Sequence, residues 1–264
     1  MNDALDRLSD GLHRLRLDDG RPAVAKVRRS APADFFAAEA RGLEALARTQ
    51  TLRVPVVFTV GPHAIQIEDL GTGRAERADW ERAGANLARL HRHGGDAFGF
   101  DADGWCGDSP QDNTRCAHGC VFFAERRLRA HAMRARASGR LDASDSAHVD
   151  RICDRLPSLV PSAPPVLIHG DLWTANLHAC ANGELALIDA GAVHYGWAEA
   201  DLAMLTLFGE PPPVFFAAYE TESGVDRGWR DRAPLYNLYH LLNHLNLFGS
   251  GYLESVRAVL RRYG

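Results

Sequence analysis

The sequence is almost without lysine. Of its 30 basic residues, Lys26 is the single lysine and all the others are arginines. A compact ammonium and a planar guanidinium bind different partners, so one lysine in an arginine-rich chain indicates a site that requires an ammonium. From the count alone, a chance exception is an equal alternative, and the position of Lys26 has to decide between them.

Cysteine is scarce as well, and long apolar runs are missing. Five cysteines in 264 residues are too few for a disulfide scaffold, and an odd number cannot all pair. No apolar stretch approaches the roughly 20 residues of a membrane-spanning helix. The N-terminus lacks the basic and then apolar layout of a signal peptide. We therefore expect reduced thiols, no membrane partner and a cytoplasmic location.

An excess of charge of one sign is also missing. The 30 basic and 34 acidic residues give a formal net charge of −4, which excludes a strongly basic nucleic-acid surface. A content of 46% hydrophobic and 24% charged residues is that of an ordinary globular protein and excludes a disordered or collagen-like chain. The length fits one large domain or two lobes. A monomer is favoured, although the sequence does not determine the oligomeric state.

The hydrophobic pattern changes near residue 70. Before this point, period-two segments surround one segment of helical period, 35–48, for which Asp34 is the predicted cap. The predicted strands cover 12–17, 22–27, 54–60 and 64–68. After Gly71-Thr72-Gly73-Arg74, nearly every segment has helical period. The pattern predicts an α+β, bilobal fold, with a small antiparallel sheet lobe over residues 1–70, a mainly helical lobe over 71–264 and a ligand cleft between them.

The helical part is interrupted by two short apolar strands, 166–168 and 185–188, and each leads into polar residues. Asp171 and Asn176 follow the first strand, and Asp189 ends the second, thirteen residues after Asn176. Phosphoryl transfer needs a carboxylate to accept the proton of the attacking hydroxyl, and oxygen ligands for Mg²⁺. The set predicts Asp171 as catalytic base and Asn176 and Asp189 as metal ligands. Taken singly, each residue is more simply a turn residue.

The order His169-Gly170-Asp171, Asn176, Asp189 resembles the catalytic and metal-binding loops of small-molecule kinases with the protein-kinase-like fold. This resemblance implies ATP and Mg²⁺ as cofactors and residues 1–70 as the nucleotide-binding lobe.

The same resemblance explains Lys26. It implies that Lys26 binds the nucleotide phosphates and that Glu39, in the following helix, holds the lysine. It also implies a hinge at which the backbone of Glu68 and Leu70 binds adenine. A chance origin of the single lysine then becomes the weaker alternative.

Within these kinases, the sequence is most similar to the fructosamine (ketosamine) 3-kinase family. The motifs that carry this resemblance lie at 107–113, 122–128, 169–173 and, most distinctively, 236–249. The family implies ATP-dependent phosphorylation of the 3-hydroxyl of a ketosamine such as ribulosamine, erythrulosamine or fructosamine, in small-molecule or protein-linked form, for deglycation. It also implies that Asp201 is a structural residue that braces the catalytic loop.

Three residues are candidates for contact with the sugar. Trp173 follows Asp171 closely, and a loop aromatic beside a reactive group tends to face the cleft. His240 and His244 share one polar stripe of a C-terminal helix with Tyr236 and Asn243. This stripe fits a satisfied core network and a wall that binds hydroxyls equally well.

Two segments depart from the family pattern. The glycine pair expected near residues 8–11 is reduced to Gly11, in the loop whose amides would cover the phosphates. Tryptophans expected around 115–119, beside the substrate site, are replaced by a segment with Cys116, His118 and Cys120. These residues, with Cys106 nearby, could ligate zinc, but their spacing is not that of a common zinc module, so we interpret the cysteines as reduced thiols.

Two alternative functions stay open. One is a kinase for another alcohol or for an aminoglycoside, and the other is a catalytically silent nucleotide-binding protein.

Overall fold

The N-terminal part is an antiparallel sheet with one helix. The computed structural model describes residues 8–264. The sheet has the strand order β1-β2-β4-β3, and helix α1 (Phe35–Arg48) connects β2 to β3. The strands are β1 (Gly11–Arg16), β2 (Pro22–Val27), β3 (Val57–Val60) and β4 (Ala64–Glu68). The predicted β-β-α-β-β order is confirmed.

Two local predictions in this part are wrong in detail. Strand β3 begins at Val57 rather than at residue 54, and Pro55, which has no N–H to donate to a strand ladder, lies just before it. Asp34 precedes α1, but its side chain makes no capping hydrogen bond. Its backbone has a φ of 63°, and its carbonyl accepts a hydrogen bond from the amide of Ala38 at 2.8 Å.

The remainder is mainly helical, as predicted. Residues 119–137 form three consecutive helical pieces: α3 (Gly119–Phe123), a π-helical turn (Ala124–Arg129) and α4 (Ala130–Ala137). The other helices are α2 (Arg77–Leu90), α5 (Ala143–Leu159), α6 (Ala198–Met204), α7 (Pro213–Ser223), α8 (Trp229–Phe248) and α9 (Leu253–Tyr263). Helix α8 is buried along most of its length, and it packs on α6 and α9. Within residues 8–264, no helix combines the length and the apolar character that crossing a bilayer requires.

Three short antiparallel strand pairs support the loops of the helical part. The pairs are β5 (Gly104–Cys106) with β6 (Ser109–Gln111), β7 (Val166–Ile168) with β10 (His194–Gly196), and β8 (Leu177–Ala179) with β9 (Leu185–Leu187). The sequence predicted β7 and β9, which are continuous apolar runs, and missed the others, whose three residues include glycine, proline or polar residues. The division at residues 70 and 71 stays a prediction, although Gly71, with a φ of 67°, marks a turn there.

Close packing fixes the helix of the sheet lobe against the helical part. A Cβ on Gly42 of α1 would lie 1.9 Å from the carbonyl oxygen of Ala190, so only glycine allows this approach. Because Glu39 lies one turn before Gly42 and Asp189 directly precedes Ala190, the same contact brings Glu39 close to Asp189.

Candidate active site

A cavity of about 380 Å³ lies between the sheet and the helical part. Its walls come from β2, α1, the loop after β7 and the segment after β9. Among its lining residues are five that the sequence singled out: Lys26, Glu39, Asp171, Asn176 and Asp189. Residues separated by up to 163 positions in the chain therefore meet around one space.

The ammonium of Lys26 lies between two carboxylates. Its Nζ is 2.5 Å from Oε1 of Glu39, and it also forms an ion pair with Asp189. Burial opposes the charge of Lys26, but the two carboxylates outweigh burial and raise its pKa. Burial, together with the nearby Asp189, raises the pKa of Glu39 against the effect of the lysine. The lysine is charged, and its charge is held at the edge of the cavity.

Residues 169–176 form what we call the catalytic loop, and Asp201 holds its first residues. The buried carboxylate of Asp201 accepts hydrogen bonds from the amides of His169, at 2.7 Å, and Gly170, at 2.9 Å. A Cβ on Gly170, whose φ is 80°, would lie 2.2 Å from the carbonyl oxygen of Ala192. The glycine of the His-Gly-Asp motif is thus required by both conformation and space.

The carboxylate of Asp171 opens to the cavity, but little of it meets solvent. Burial raises its pKa to about 6; His169 opposes this rise, while the negative charges of Asp189 and Asp201 add to it. At neutral pH most of the carboxylate is ionised, and a carboxylate with this pKa is a stronger base than an exposed aspartate. Its position and basicity suit the acceptance of a proton from a hydroxyl.

Asn176 and Asp189, two residues with side-chain oxygens, both line the first cavity. The Nδ2 of Asn176 donates a hydrogen bond to the carbonyl of Asp171 at 2.8 Å, which fixes the amide plane. Asp189 has a φ of 57°, in the left-handed region, and its side chain is half-exposed. One amide oxygen and one carboxylate are hard ligands, and this donor set fits Mg²⁺.

Of the predicted sugar-binding residues, Trp173 and His240 lie near Asp171. Trp173 lines the cavity, and its side chain is partly exposed. The Nδ1 of His240 is 3.7 Å from Oδ1 of Asp171. Burial lowers the pKa of His240 to about 3, so this histidine is neutral at physiological pH.

His244 is four residues further along α8, and its ring packs among Phe208, Phe248 and Tyr252, with 4.8 Å between the ring centroids of His244 and Phe208. Neither His240 nor His244 is among the residues that line the first cavity. Contact of His244 with the sugar stays a prediction.

The two other residues of the polar stripe, Tyr236 and Asn243, also have different surroundings. Tyr236 packs against Phe123 and Trp197 in the core. Asn243 donates from Nδ2 to the carbonyl of Cys106 at 3.1 Å and to its sulfur at 3.4 Å. The stripe is therefore part core and part support for the site.

A second cavity, of about 560 Å³, adjoins the first and shares Lys26 and Asp189 with it. Glu68 and Leu70 line it, as the predicted hinge requires. The amide of Glu68 donates to the carbonyl of Val56, and the carbonyl of Leu70 accepts from the amide of Ala181. Apolar residues of the same cavity include Leu12, Val24 and Ile188.

Sequence reasoning missed a buried network beneath the catalytic loop. The hydroxyl of Tyr239 donates to Oε1 of Gln111 at 2.9 Å, and Nε2 of Gln111 donates to the carbonyl of Ala192 at 3.0 Å. The buried guanidinium of Arg127 donates to Oδ1 of Asn113 at 2.7 Å. These residues belong to the family motifs at 107–113, 122–128 and 236–249, so the motifs were the available signal.

Further side chains at the mouth of the first cavity were also missed. Arg28, directly after β2, forms an ion pair with Asp108, in the turn between β5 and β6. The Arg28 guanidinium lies 5.1 Å from the ring centroid of Phe35, and that ring is 5.7 Å from Trp105. This contact joins the sheet lobe to the helical part beside the site.

The segment with Cys116, His118 and Cys120 does not border the first cavity. The thiol of Cys116 donates to the carbonyl of His118 at 3.4 Å. Over residues 8–264, these side chains do not bring three donor atoms within reach of a single ion. The backbone of Cys116 pairs with that of Phe98 in an isolated bridge, and the expectation that this segment borders the substrate site stays a prediction.

Comparison with known proteins agrees with this geometry. The family model for fructosamine kinase matches residues 12–263. A probable ketoamine kinase of Synechocystis sp. is 38% identical over 251 residues, which is 93% of this chain and 84% of that protein. The chloroplastic protein-ribulosamine 3-kinase of Arabidopsis thaliana is 35% identical, over 90% of this chain and 74% of its own.

Solved structures give the same result. A candidate fructosamine-3-kinase of Thermobifida fusca is 37% identical and superposes with a TM-score of 0.87, over 95% of this chain and 89% of that one. An aminoglycoside phosphotransferase bound to ADP, at 14% identity, has a TM-score of 0.58 over 99% of this chain and 97% of that one, which shows the fold alone.

Fold and site together define a small-molecule kinase with the protein-kinase-like fold, and the predicted α+β, bilobal architecture is confirmed. Within that class, the chain belongs to the fructosamine kinase family.

Proposed function

We propose that this protein transfers the γ-phosphoryl group of ATP to the 3-hydroxyl of a ketosamine. The observation that carries the proposal is the convergence of Lys26, Asp171 and Asp189 on one cavity, in a chain of the fructosamine kinase family. The geometry supplies a phosphate-binding cation, a base and a metal-binding carboxylate within one cleft.

The nucleotide would occupy both cavities. Adenine fits the larger, mainly apolar one, where the carbonyl of Glu68 and the amide of Leu70 are the hinge groups we propose for its edge. The phosphates would then extend toward Lys26, and Glu39 would keep the ammonium in place. Gly11 lines the first cavity, so the β1 end is positioned to cover the phosphates even with a single glycine.

Asn176 and Asp189 would hold Mg²⁺, which supplies neutralisation of the phosphate charge. Lys26, which forms an ion pair with Asp189, would add a second positive charge beside the metal ligands.

Asp171 would orient the sugar hydroxyl and accept its proton. The hydroxyl oxygen forms a bond to the γ-phosphorus, the bond from that phosphorus to the bridging oxygen breaks, and ADP leaves with the electron pair. The proton passes to the Asp171 carboxylate. The raised pKa of Asp171 supports this role, because a base near the working pH transfers protons efficiently.

The acceptor would be a ribulosamine, erythrulosamine or fructosamine, free or linked to a protein, and its phosphorylation would serve deglycation. Trp173, at the partly exposed edge of the cavity, would contact the sugar, and His240 would face it beside Asp171. Because a single chain supplies every side chain of the site, we propose a monomer. Five free cysteines support a reducing, cytoplasmic location.

The test is an ATP-consumption screen with product identification. The acceptors are the three ketosamines, an aminoglycoside and choline, each with Mg²⁺, and Asp171→Asn is the matched negative control. The proposal expects a phosphorylated ketosamine from the wild-type protein alone. Turnover of the aminoglycoside only, or a thermal shift with Mg-ATP without turnover of any acceptor, would contradict it.

A further inference from the structure

A thiol and an imidazole lie buried beside Asp171, which lines the first cavity. Cys106 ends β5, Asp171 lies in the catalytic loop and His240 lies in the middle of α8. Each offers one donor atom, and these three atoms lie within 4.8 Å of one another. The Nδ1 of His240 is 4.0 Å from the Cys106 sulfur and 3.7 Å from Oδ1 of Asp171. Among residues 8–264, no other three side chains of these types come as close together.

We propose that Cys106, Asp171 and His240 form a Zn²⁺-binding site whose fourth position faces the cavity. In tetrahedral zinc with its usual bond lengths, a nitrogen and an oxygen ligand are about 3.4 Å apart, and a sulfur and a nitrogen ligand about 3.6 Å. The nitrogen–oxygen and sulfur–nitrogen separations exceed these values by a few tenths of an ångström, and the sulfur lies within 4.8 Å of the Asp171 oxygen. Binding would draw the three donor atoms closer together.

The chemistry of the donors selects zinc over magnesium. One sulfur, one nitrogen and one oxygen suit a borderline-soft ion, whereas Mg²⁺ prefers six oxygens. The proposed Mg²⁺ ligands, Asn176 and Asp189, are not part of this set. The two ions would therefore occupy different positions in one cleft.

The surroundings of Cys106 support ligation. Asn243 donates to its sulfur and its carbonyl, so the sulfur has a fixed direction and a donor that stabilises negative charge. Binding would exchange the thiol proton for the ion and release that proton to solvent. Asp171, the partly exposed member, gives an ion access from the cavity, while Cys106 and His240 are buried.

The consequence for catalysis rests on the proposed function. Zinc on Asp171 would occupy the carboxylate that accepts the proton of the sugar hydroxyl. We expect inhibition that is competitive with the ketosamine. It would be non-competitive with ATP, since Lys26, Glu68 and Leu70 are not zinc ligands.

The site is tested first without turnover. The metal-free, full-length protein is titrated with Co²⁺ as a spectroscopic probe, and Zn²⁺ is then added in competition. The proposal expects a thiolate-to-cobalt charge-transfer band and tetrahedral visible bands that saturate at one equivalent and disappear with Zn²⁺. A wild-type protein without a charge-transfer band would overturn the proposal, whatever the variants do.

Variants then locate the site. We expect Cys106→Ser to remove the charge-transfer band. We expect His240→Asn to weaken Co²⁺ binding by at least about tenfold, the loss associated with disturbing a metal's ligand surroundings. Cys153→Ser, a substitution of another buried cysteine, is the matched control and should leave the titration unchanged. A band that survives Cys106→Ser and disappears in Cys116→Ser would place the thiolate elsewhere and overturn the proposal. If Cys106→Ser does not fold, His240→Asn decides.

The two proposals fail separately. If the protein binds one Zn²⁺ through Cys106 but phosphorylates no ketosamine, the proposed function is contradicted and the zinc site is supported. If the protein phosphorylates a ketosamine but gives no charge-transfer band and is insensitive to Zn²⁺, the zinc site is contradicted and the proposed function is supported.

Discussion

The ammonium of Lys26 lies 2.5 Å from the carboxylate of Glu39, although the two residues come from different elements of the sheet lobe. Strand β2 fixes the lysine between Leu12 and Ile65 in the strand ladder, and helix α1 brings the glutamate over it. The single lysine of the chain therefore stands where a point-like cation is held by two carboxylates. A planar guanidinium directs its hydrogen bonds differently and would not reproduce these contacts.

Lys26→Arg tests this relationship. We expect kcat/KM for ATP to fall by about 10²–10³, the effect of losing one well-placed charged group, even though the charge is kept. The matched control is Arg48→Lys on the exposed end of the same helix that carries Glu39, and we expect it to leave activity unchanged. Steady-state kinetics at saturating acceptor measures both variants. Near-normal activity of Lys26→Arg would mean that the single lysine is incidental.

Asp171→Asn should separate catalysis from stability. We expect kcat to fall by about 10²–10⁴, because no carboxylate accepts the proton. We expect the free energy of unfolding at pH 8 to increase, because the folded variant no longer buries an ionised carboxylate. A pKa raised from 3.8 to about 6 sets an upper limit of about 3 kcal/mol on this increase in the free energy of unfolding.

The sign of this stability difference can be followed with pH. The folded state binds the Asp171 proton more tightly than the unfolded state. The ionised carboxylate therefore lowers the free energy of unfolding by its full amount above pH 6. This effect decreases as the pH falls through 6 and is absent below about pH 4. Urea unfolding at pH 8 and pH 5 measures it. A variant that is less stable than the wild type at pH 8 would contradict the assignment.

The pH dependence of the reaction should have one acidic limb. With Asp171 as the base and a pKa of about 6, kcat/KM for the acceptor should fall about tenfold per pH unit below 6. His240, whose pKa burial lowers to about 3, should add no limb between pH 5 and 8. In His240→Asn the acidic limb should therefore stay, while kcat/KM at the plateau above pH 6 should be lower. Loss of the limb in that variant would assign it to the histidine.

Asp201→Asn should loosen the catalytic loop. The carboxylate of Asp201 accepts hydrogen bonds from the amides of His169 and Gly170. Burial alone would raise the pKa of Asp201, but the hydrogen bonds from His91 and the loop outweigh burial and lower it. An amide presents one acceptor instead of two, so we expect a loss of about 3 kcal/mol in the free energy of unfolding.

The matched control for Asp201 is Asp150→Asn, an exposed partner of Arg129 whose replacement should cost less than about 1 kcal/mol. Urea denaturation of both variants at pH 7.5 measures the difference. Equal losses would show that Asp201 does not brace the loop.

Much of the fold could be predicted from the sequence. The strands and helix of the sheet lobe follow from local periodicity, and the convergence of Lys26, Asp171 and Asp189 follows from matching their order to a known family. Short pairs such as β5 with β6 could not be predicted, because three residues have no period and are stabilised by contacts distant in the chain.

Side-chain placement within one helix was harder to predict. His240 and His244 lie on the same stripe of α8, yet the first faces Asp171 and the second packs among aromatic rings. Periodicity gives the face of a helix, but the neighbours that meet each turn come from other elements. Cys106 was missed as a neighbour of Asp171 for the same reason, since the two approach only through tertiary packing.

The most direct test of the central claim is the position of the phosphate on the product. Ribulosamine is incubated with the wild-type protein, ATP and Mg²⁺, and correlated proton and phosphorus NMR identifies the esterified oxygen. The account predicts a single phosphate on the 3-oxygen and no product with Asp171→Asn. A phosphate on a different hydroxyl, or equal product from Asp171→Asn, would contradict it.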